Sequence, residues 1–357
     1  GGAAGPDNET IFKQLRSQGF PKGLIEQLLL NTKAIPLRIW IVDNSGSMTY
    51  DDGQCIIDDK TIRNGLKLVP CTRWKEIVET VQYHARLSGL LQAATIFRLL
   101  NDPGAAVGPQ QFSIGVNGPA SIDGEVHEAV AIMKRAMPIS VTPLVRHMRE
   151  ICAQVKDMAP QLMKNGQKVA IIVATDGSPS DVDSKQQFVD VLKEFDDLPV
   201  YIVFRLCTDN SSVVDYYGDI DKQLESPVEV LDDFVAEAEE IVRVNPWLNY
   251  SLPLHRCREL GFYHQTFDLI DERRFLKDEI ATFCSLLLGE KEMLGAPDPL
   301  GDFEGFLEHV NLVTVRDENG HQWNPIKKKV LPLINDRELR KSHGDAAAAG
   351  DGCCIVS

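Results

Sequence analysis

Short, almost uninterrupted apolar runs alternate with amphipathic stretches through the middle of the chain. LRIWIV (37–42), KVAIIVAT (168–175) and LPVYIVFRL (198–206) are too apolar for strands with one wet face. They read as strands covered on both sides, as in a parallel sheet. TIFRLL (95–100) and QFSIGV (111–116) read as two more strands. Between these runs, RWKEIVETVQYHARLSGLLQ (73–92), GEVHEAVAIMKRAM (124–137), PLVRHMREICAQVKDMAPQLM (143–163) and QQFVDVLKEF (186–195) have helical spacing, the third with a proline in its first turn. The succession of strand and helix predicts an α/β fold, a mostly parallel sheet flanked by helices.

The two ends read differently. Residues 8–34 form two short amphipathic patterns that break around Gly19, Pro21 and Gly23. Beyond residue 246 the strand runs stop. LIDERRFLKDEIATFCSLLLG (269–289) reads as one helix, and NLVTV, DENG and HQW (311–323) suggest a hairpin turning at Asn319 and Gly320. From Asp336 the chain turns polar, with AAAA at 346–349, the composition of a disordered segment. The expected organisation is an N-terminal helical segment (1–35), an α/β domain (36–246), a helical extension (247–310), a β-hairpin region (311–335) and a flexible tail (336–357).

Candidate chemistry gathers where strands end. The first buried run leads straight into DNSGSM, which sets Asp43, Ser45 and Ser47 at alternate positions of a turning loop. The run 168–175 leads into Asp176, and Thr142 stands before Pro143 at a helix start. In open α/β sheets, ligands bind outside the carboxyl ends of strands. All five residues offer oxygen, which suits a hard divalent cation. The same residue types also cap turns and helices. Asp51, Asp52, Asp58, Asp59, Asp181 and Asp183 lie nearby in sequence, either raising the local cation concentration or forming a solvated face. The segment from Tyr50 to Thr72 is long for a connection and is expected to influence partner choice.

Asp43-x-Ser45-x-Ser47, a Thr about a hundred residues on in a TPL context, and an Asp-Gly after the next buried strand resemble the metal-ion-dependent adhesion site of von Willebrand factor A domains. The resemblance covers roughly residues 36–246. It implies a Rossmann-like sheet and a protein-interaction module. In that reading Ser45, Ser47 and Thr142 bind the metal through hydroxyls, and Asp43 and Asp176 act directly or through water. It also implies Mg²⁺ as the first expectation, with Mn²⁺ or Ca²⁺ as alternatives, and a protein partner that presents an acidic residue. The alternative is a metal-dependent enzyme or a subunit of an enzyme complex, in which the cation acts as a Lewis acid or activates water.

Charge and termini narrow the classes further. The formal net charge of −15 discourages a nucleic-acid partner. No apolar run is long enough to span a bilayer, the N-terminus has no secretory pattern, and no P-loop motif occurs. The eight cysteines are dispersed apart from Cys353 and Cys354, suggesting neither a zinc module nor a disulfide framework. His255, Cys257, His264 and Cys284 fit no zinc spacing. The final residues, Cys354-Ile355-Val356-Ser357, match the C-a-a-X pattern for prenylation, with Cys353 as a candidate second acylation site. Residues 321–357 carry six basic and four acidic side chains, leaving −17 on residues 1–320. The expectation is a cytoplasmic protein held peripherally at the cytosolic face of a membrane by its lipidated tail.

Overall fold

The computed structural model describes residues 7–208, 210–224 and 228–344. Cys353 and Cys354 lie outside the described residues. A six-stranded sheet forms the centre, in the order β5-β4-β1-β6-β7-β8. Its strands are β1 (Leu37–Val42), β4 (Thr95–Leu99), β5 (Gln111–Ile114), β6 (Val169–Thr175), β7 (Val200–Leu206) and β8 (Val228–Leu231). All neighbours run parallel except β5, which is antiparallel to β4 at one edge. This is the α/β, mostly parallel sheet flanked by helices that the apolar runs predict. Every residue of β6 and β7 is buried, as strands covered on both faces require.

One face of the sheet packs Trp40, Ile172 and Val203 against the helices Arg73–Leu91 and Ile122–Arg135. The other packs Ile39, Ile41, Val173 and Phe204 against the helices Leu144–Lys164, Lys185–Lys193 and Ser211–Asp221. After β1 the chain moves to β4 on one side, and it later returns to place β6 on the other. The crevice between the carboxyl ends of β1 and β6 is therefore the switch point of the sheet.

The two ends of the chain share one core. Ile11, Leu24 and Leu28 pack in a single cluster with Trp247, Phe283, Val310 and Leu339. The helices Lys22–Ala34 and Lys277–Leu288 approach so closely that a Cβ on Gly23 would lie 2.2 Å from the Gly289 nitrogen. Arg38, buried in β1, fastens these parts to the sheet by donating to Asn31 Oδ1, Ile35 O and Leu260 O.

Several elements differ from the sequence expectation. Residues 50–72 are not an open connection: β2 (Gly53–Asp59) and β3 (Gly65–Cys71) pair as an antiparallel hairpin. Gln54 N–H donates to Glu76 on the following helix, which holds the hairpin down. NLVTV belongs to the helix Phe303–Arg316, because Phe303, Phe306, Leu307, Val310 and Val313 make one buried helical face that outweighs β-branched propensity. The hairpin lies further on, between β9 (His321–Asn324) and β10 (Lys329–Pro332). Asn319 instead donates its side-chain amide to Arg16 O and Phe20 O. The pattern at 269–289 forms a helix only from Lys277, and Asp336–His343 is a helix rather than disordered chain, anchored by buried Leu339. Among the described residues, no helix is long and apolar enough to cross a membrane.

Candidate metal centre

Asp43 follows β1 and Asp176 follows β6, so adjacent parallel strands deliver both carboxylates to the switch point. Main-chain bonds fix Asp43 there, its N–H donating to Ala174 O at 2.9 Å. Its carboxylate accepts from Ser45 N–H at 2.8 Å and from the Thr175 hydroxyl at 2.7 Å. The Ser45 and Ser47 hydroxyls lie 3.1 Å apart, and Ser47 Oγ donates to Asp176 Oδ1 at 2.8 Å. Four of the five sequence-identified residues thus form one hydrogen-bonded group. Asp43, Ser45 and Asp176 are buried, while Ser47 is half-buried.

Thr142, the fifth, sits on the neighbouring loop. That loop is joined to the first by Gly46 N–H donating to Ser140 O at 3.1 Å and Ile139 N–H donating to Asn44 O at 2.7 Å. Asn101 ties a third loop to both, since its side chain donates to Ile139 O and Val141 O and its N–H to Asn44 Oδ1. Thr142 N–H donates to Ser180 Oγ, and Ser180 N–H donates back to Thr142 O. Both main-chain groups of Thr142 are thus committed to Ser180, and the residue is buried.

Arg73, at the first position of its helix, was not singled out by sequence. It donates to Asp176 Oδ2 at 2.9 Å and to both oxygens of Asp52, at 2.6 and 2.5 Å, with its guanidinium 5.0 Å from the centre of the Tyr50 ring. Hydrogen bonds from Arg73 hold the Asp52 carboxyl below its ordinary range. Burial pushes Asp43 up to about 6; the Thr175 hydroxyl bond opposes this, and the neighbouring Asp176 charge adds to it. Two carboxylates therefore share one guanidinium, and none of its bonds reaches Asp43. No one-dimensional signal marks Arg73, because Asp176 is 103 positions away.

The other nearby acids separate into clear roles. Asp181 accepts from Val145 N–H and Arg146 N–H, capping the helix Leu144–Lys164, and Asp59 pairs with Lys67 and Thr61. Asp51, Asp58 and Asp183 are exposed. Outside the acids, Met137, Ile139, Val141 and Tyr50 stand exposed on the loops that join at the site, with Met137 at 66% and Tyr50 at 61%.

The donor set of two carboxylates and three hydroxyls matches the oxygen preference of Mg²⁺, Mn²⁺ or Ca²⁺. Among the described residues, no group of three or more His, Cys, Asp or Glu side chains is arranged to hold a metal. Any cation here would therefore depend on the serine and threonine hydroxyls.

No protein-family model matches the chain, and no curated protein sequence matches it. Among solved structures, the chain is similar to the crystal structure of the SpRpn10 VWA domain, at 13% identity and a TM-score of 0.33, over 56% of this chain and 88% of that one. A likeness that weak carries no argument about function, and the α/β architecture rests on the strand order and pairings given above.

Proposed function

We propose that the protein is a cation-dependent protein-interaction module whose binding face is the switch point of the sheet. Asp43, Ser45, Ser47, Thr142 and Asp176 would hold a divalent cation, Mg²⁺ first, and the partner would present a carboxylate. The observation that carries the reading is the hydrogen-bonded group Asp43–Ser45–Ser47–Asp176 at the carboxyl ends of β1 and β6, with Thr142 on the loop bonded to it. When bound, the cation would supply a hard positive centre on which an acidic side chain can dock.

The residues of the chain do the rest. The paired ends of β1 and β6 fix the two carboxylates, and the Asn44–Asn101 bonds hold the loops that carry the hydroxyls. Arg73 balances part of the negative charge on Asp176 and Asp52. The exposed Tyr50, Met137, Ile139 and Val141 give an apolar rim on which a partner surface can bury area around a polar centre.

Electron paramagnetic resonance of Mn²⁺ titrated into the full chain tests the reading. A protein-bound signal should appear, change when a glutamate-bearing peptide is added, and be lost in Ser45→Ala/Ser47→Ala. A bound signal that the double variant leaves unchanged would remove the site. Prenylation of Cys354, with attachment to a membrane, is a separate proposal that rests on the tetrapeptide alone. Transfer of a labelled farnesyl group to the native chain and not to Cys354→Ser supports it, and equal labelling of the two ends it.

A further inference from the structure

We propose that Cys55 and Cys71 are a dithiol that closes to a reversible disulfide when the protein meets a hydroperoxide. The sequence gives no hint of a pair, since fifteen residues separate the two cysteines and dispersed cysteines read as independent. The β2–β3 register removes that separation. Gly53 pairs with Cys71 and Cys55 with Val69, which puts the two cysteines diagonally on one face of the hairpin. Their sulfurs are 2.7 Å apart, closer than unbonded sulfurs normally rest and near the ~2.05 Å of a disulfide. Closing the bond therefore needs little movement of the strands.

The setting supports a controlled reaction. Cys55 is buried and Cys71 is partly exposed, so an oxidant reaches Cys71 first. The Cys71 thiolate attacks the peroxide, forming an S–O bond as the O–O bond breaks and hydroxide leaves. Cys55 sulfur then attacks Cys71 sulfur, the S–S bond forms and water departs. Two thiols lose two electrons and two protons, and one hydrogen peroxide becomes two waters. Burial raises both thiols above their ordinary range; Cys71 and then Glu79 raise Cys55 further, while for Cys71 the hydrogen bond with Cys55 opposes burial and Glu76 and Glu79 add to it. Oxidation is then slow at neutral pH and accelerates with alkalinity.

The cross-link would bear on the candidate metal centre. Cys71 is followed by Thr72, whose hydroxyl caps the helix Arg73–Leu91, and then by Arg73, which holds Asp52 and Asp176. A disulfide at the end of β3 would pin the point from which Arg73 is mounted.

The test treats the full native chain with hydrogen peroxide, alkylates it, digests it and maps its peptides by mass spectrometry. A linked Cys55–Cys71 pair, lighter by two hydrogens and released by dithiothreitol, is expected, with a higher melting temperature for the oxidised protein. Cys55→Ser and Cys71→Ser should each lose both the linked peptide and the melting shift. The proposal is overturned if both thiols are still alkylated after peroxide, if Cys71 is recovered as a sulfinic acid beside a free Cys55, or if either pairs with another cysteine. Protection that appears with zinc and is released by chelator rather than by dithiothreitol would also overturn it, assigning the pair to a metal.

Discussion

Glu259 and Asp43 are both carboxylates removed from water, but their surroundings treat them differently. Glu259, at the end of the helix Leu252–Glu259, accepts from Arg256 at 2.7 Å and Arg205 at 3.3 Å and meets His84 at 3.0 Å. Asp43, at the sheet edge, accepts from one hydroxyl and one main-chain N–H, with no ion pair among the described residues. Burial alone would raise both; Arg256, His255 and His84 instead bring Glu259 well below its ordinary range, while Asp43 stays raised. A buried charge that is fully answered holds parts together, and one that is left short marks a place where something else can bind.

Removing the answered charge should have the largest effect. Glu259→Gln leaves Arg205 and Arg256 buried without their shared carboxylate and is expected to cost roughly 3–5 kcal/mol in urea unfolding. A loss below about 1 kcal/mol would show that the seam between sheet and helices does not depend on this cluster.

Asp43→Asn should behave in the opposite way. In chelator its stability should stay within about 1 kcal/mol of the native chain, because one hydrogen bond is weakened while an uncompensated charge is removed. Its affinity for Mg²⁺ should fall at least about tenfold, equal to about 1.4 kcal/mol. A large loss of stability without a change in cation affinity would make Asp43 a structural residue.

Asp232 extends the comparison to pH. It follows β8, and burial together with the charges of Glu240 and Asp233 pushes it up to about 7, against the opposing pull of Arg205 and Arg258. The folded state holds this proton more tightly than the unfolded state. The stability it contributes is therefore complete below about 3.8 and is lost as pH rises through about 7. Asp232→Asn should raise stability by about 1 kcal/mol at pH 8 and by progressively less toward pH 4. Thermal melts across that range check it, and a constant difference would exclude the assignment.

The smallest effect is expected on the surface. Arg340 bonds Glu304 and Asp336 on exposed ground, and Arg340→Ala should change stability by less than about 1 kcal/mol. A larger loss would show that exposed pairs share the work assigned to the buried seam.

The pattern along the chain made some of this legible and hid the rest for identifiable reasons. β1, β6 and β7 announce themselves because strands covered on both faces must be apolar throughout, and Asp43, Ser45, Ser47 and Asp176 are found simply by reading off their ends. HRCRE at 255–259 looks like a solvated run, yet every one of these residues is buried. Its charges are answered from far away in sequence, Arg258 by Glu229 and Glu237. The β2–β3 hairpin was hidden by the acids Asp58 and Asp59 near its tip, and Arg73 by its distance from Asp176. Periodicity reports which face is apolar, and it cannot report which distant charge completes a buried one.

The proposed function stands or falls on whether Asp43 and its neighbours at the sheet edge hold a divalent cation. Isothermal titration of Mg²⁺ into the chelator-treated full chain, in parallel with Asp43→Asn, tests it most directly. Saturable binding at one site is expected in the native chain, and binding at least about tenfold weaker in the variant. No binding in the native chain, or equal binding in both, would contradict it.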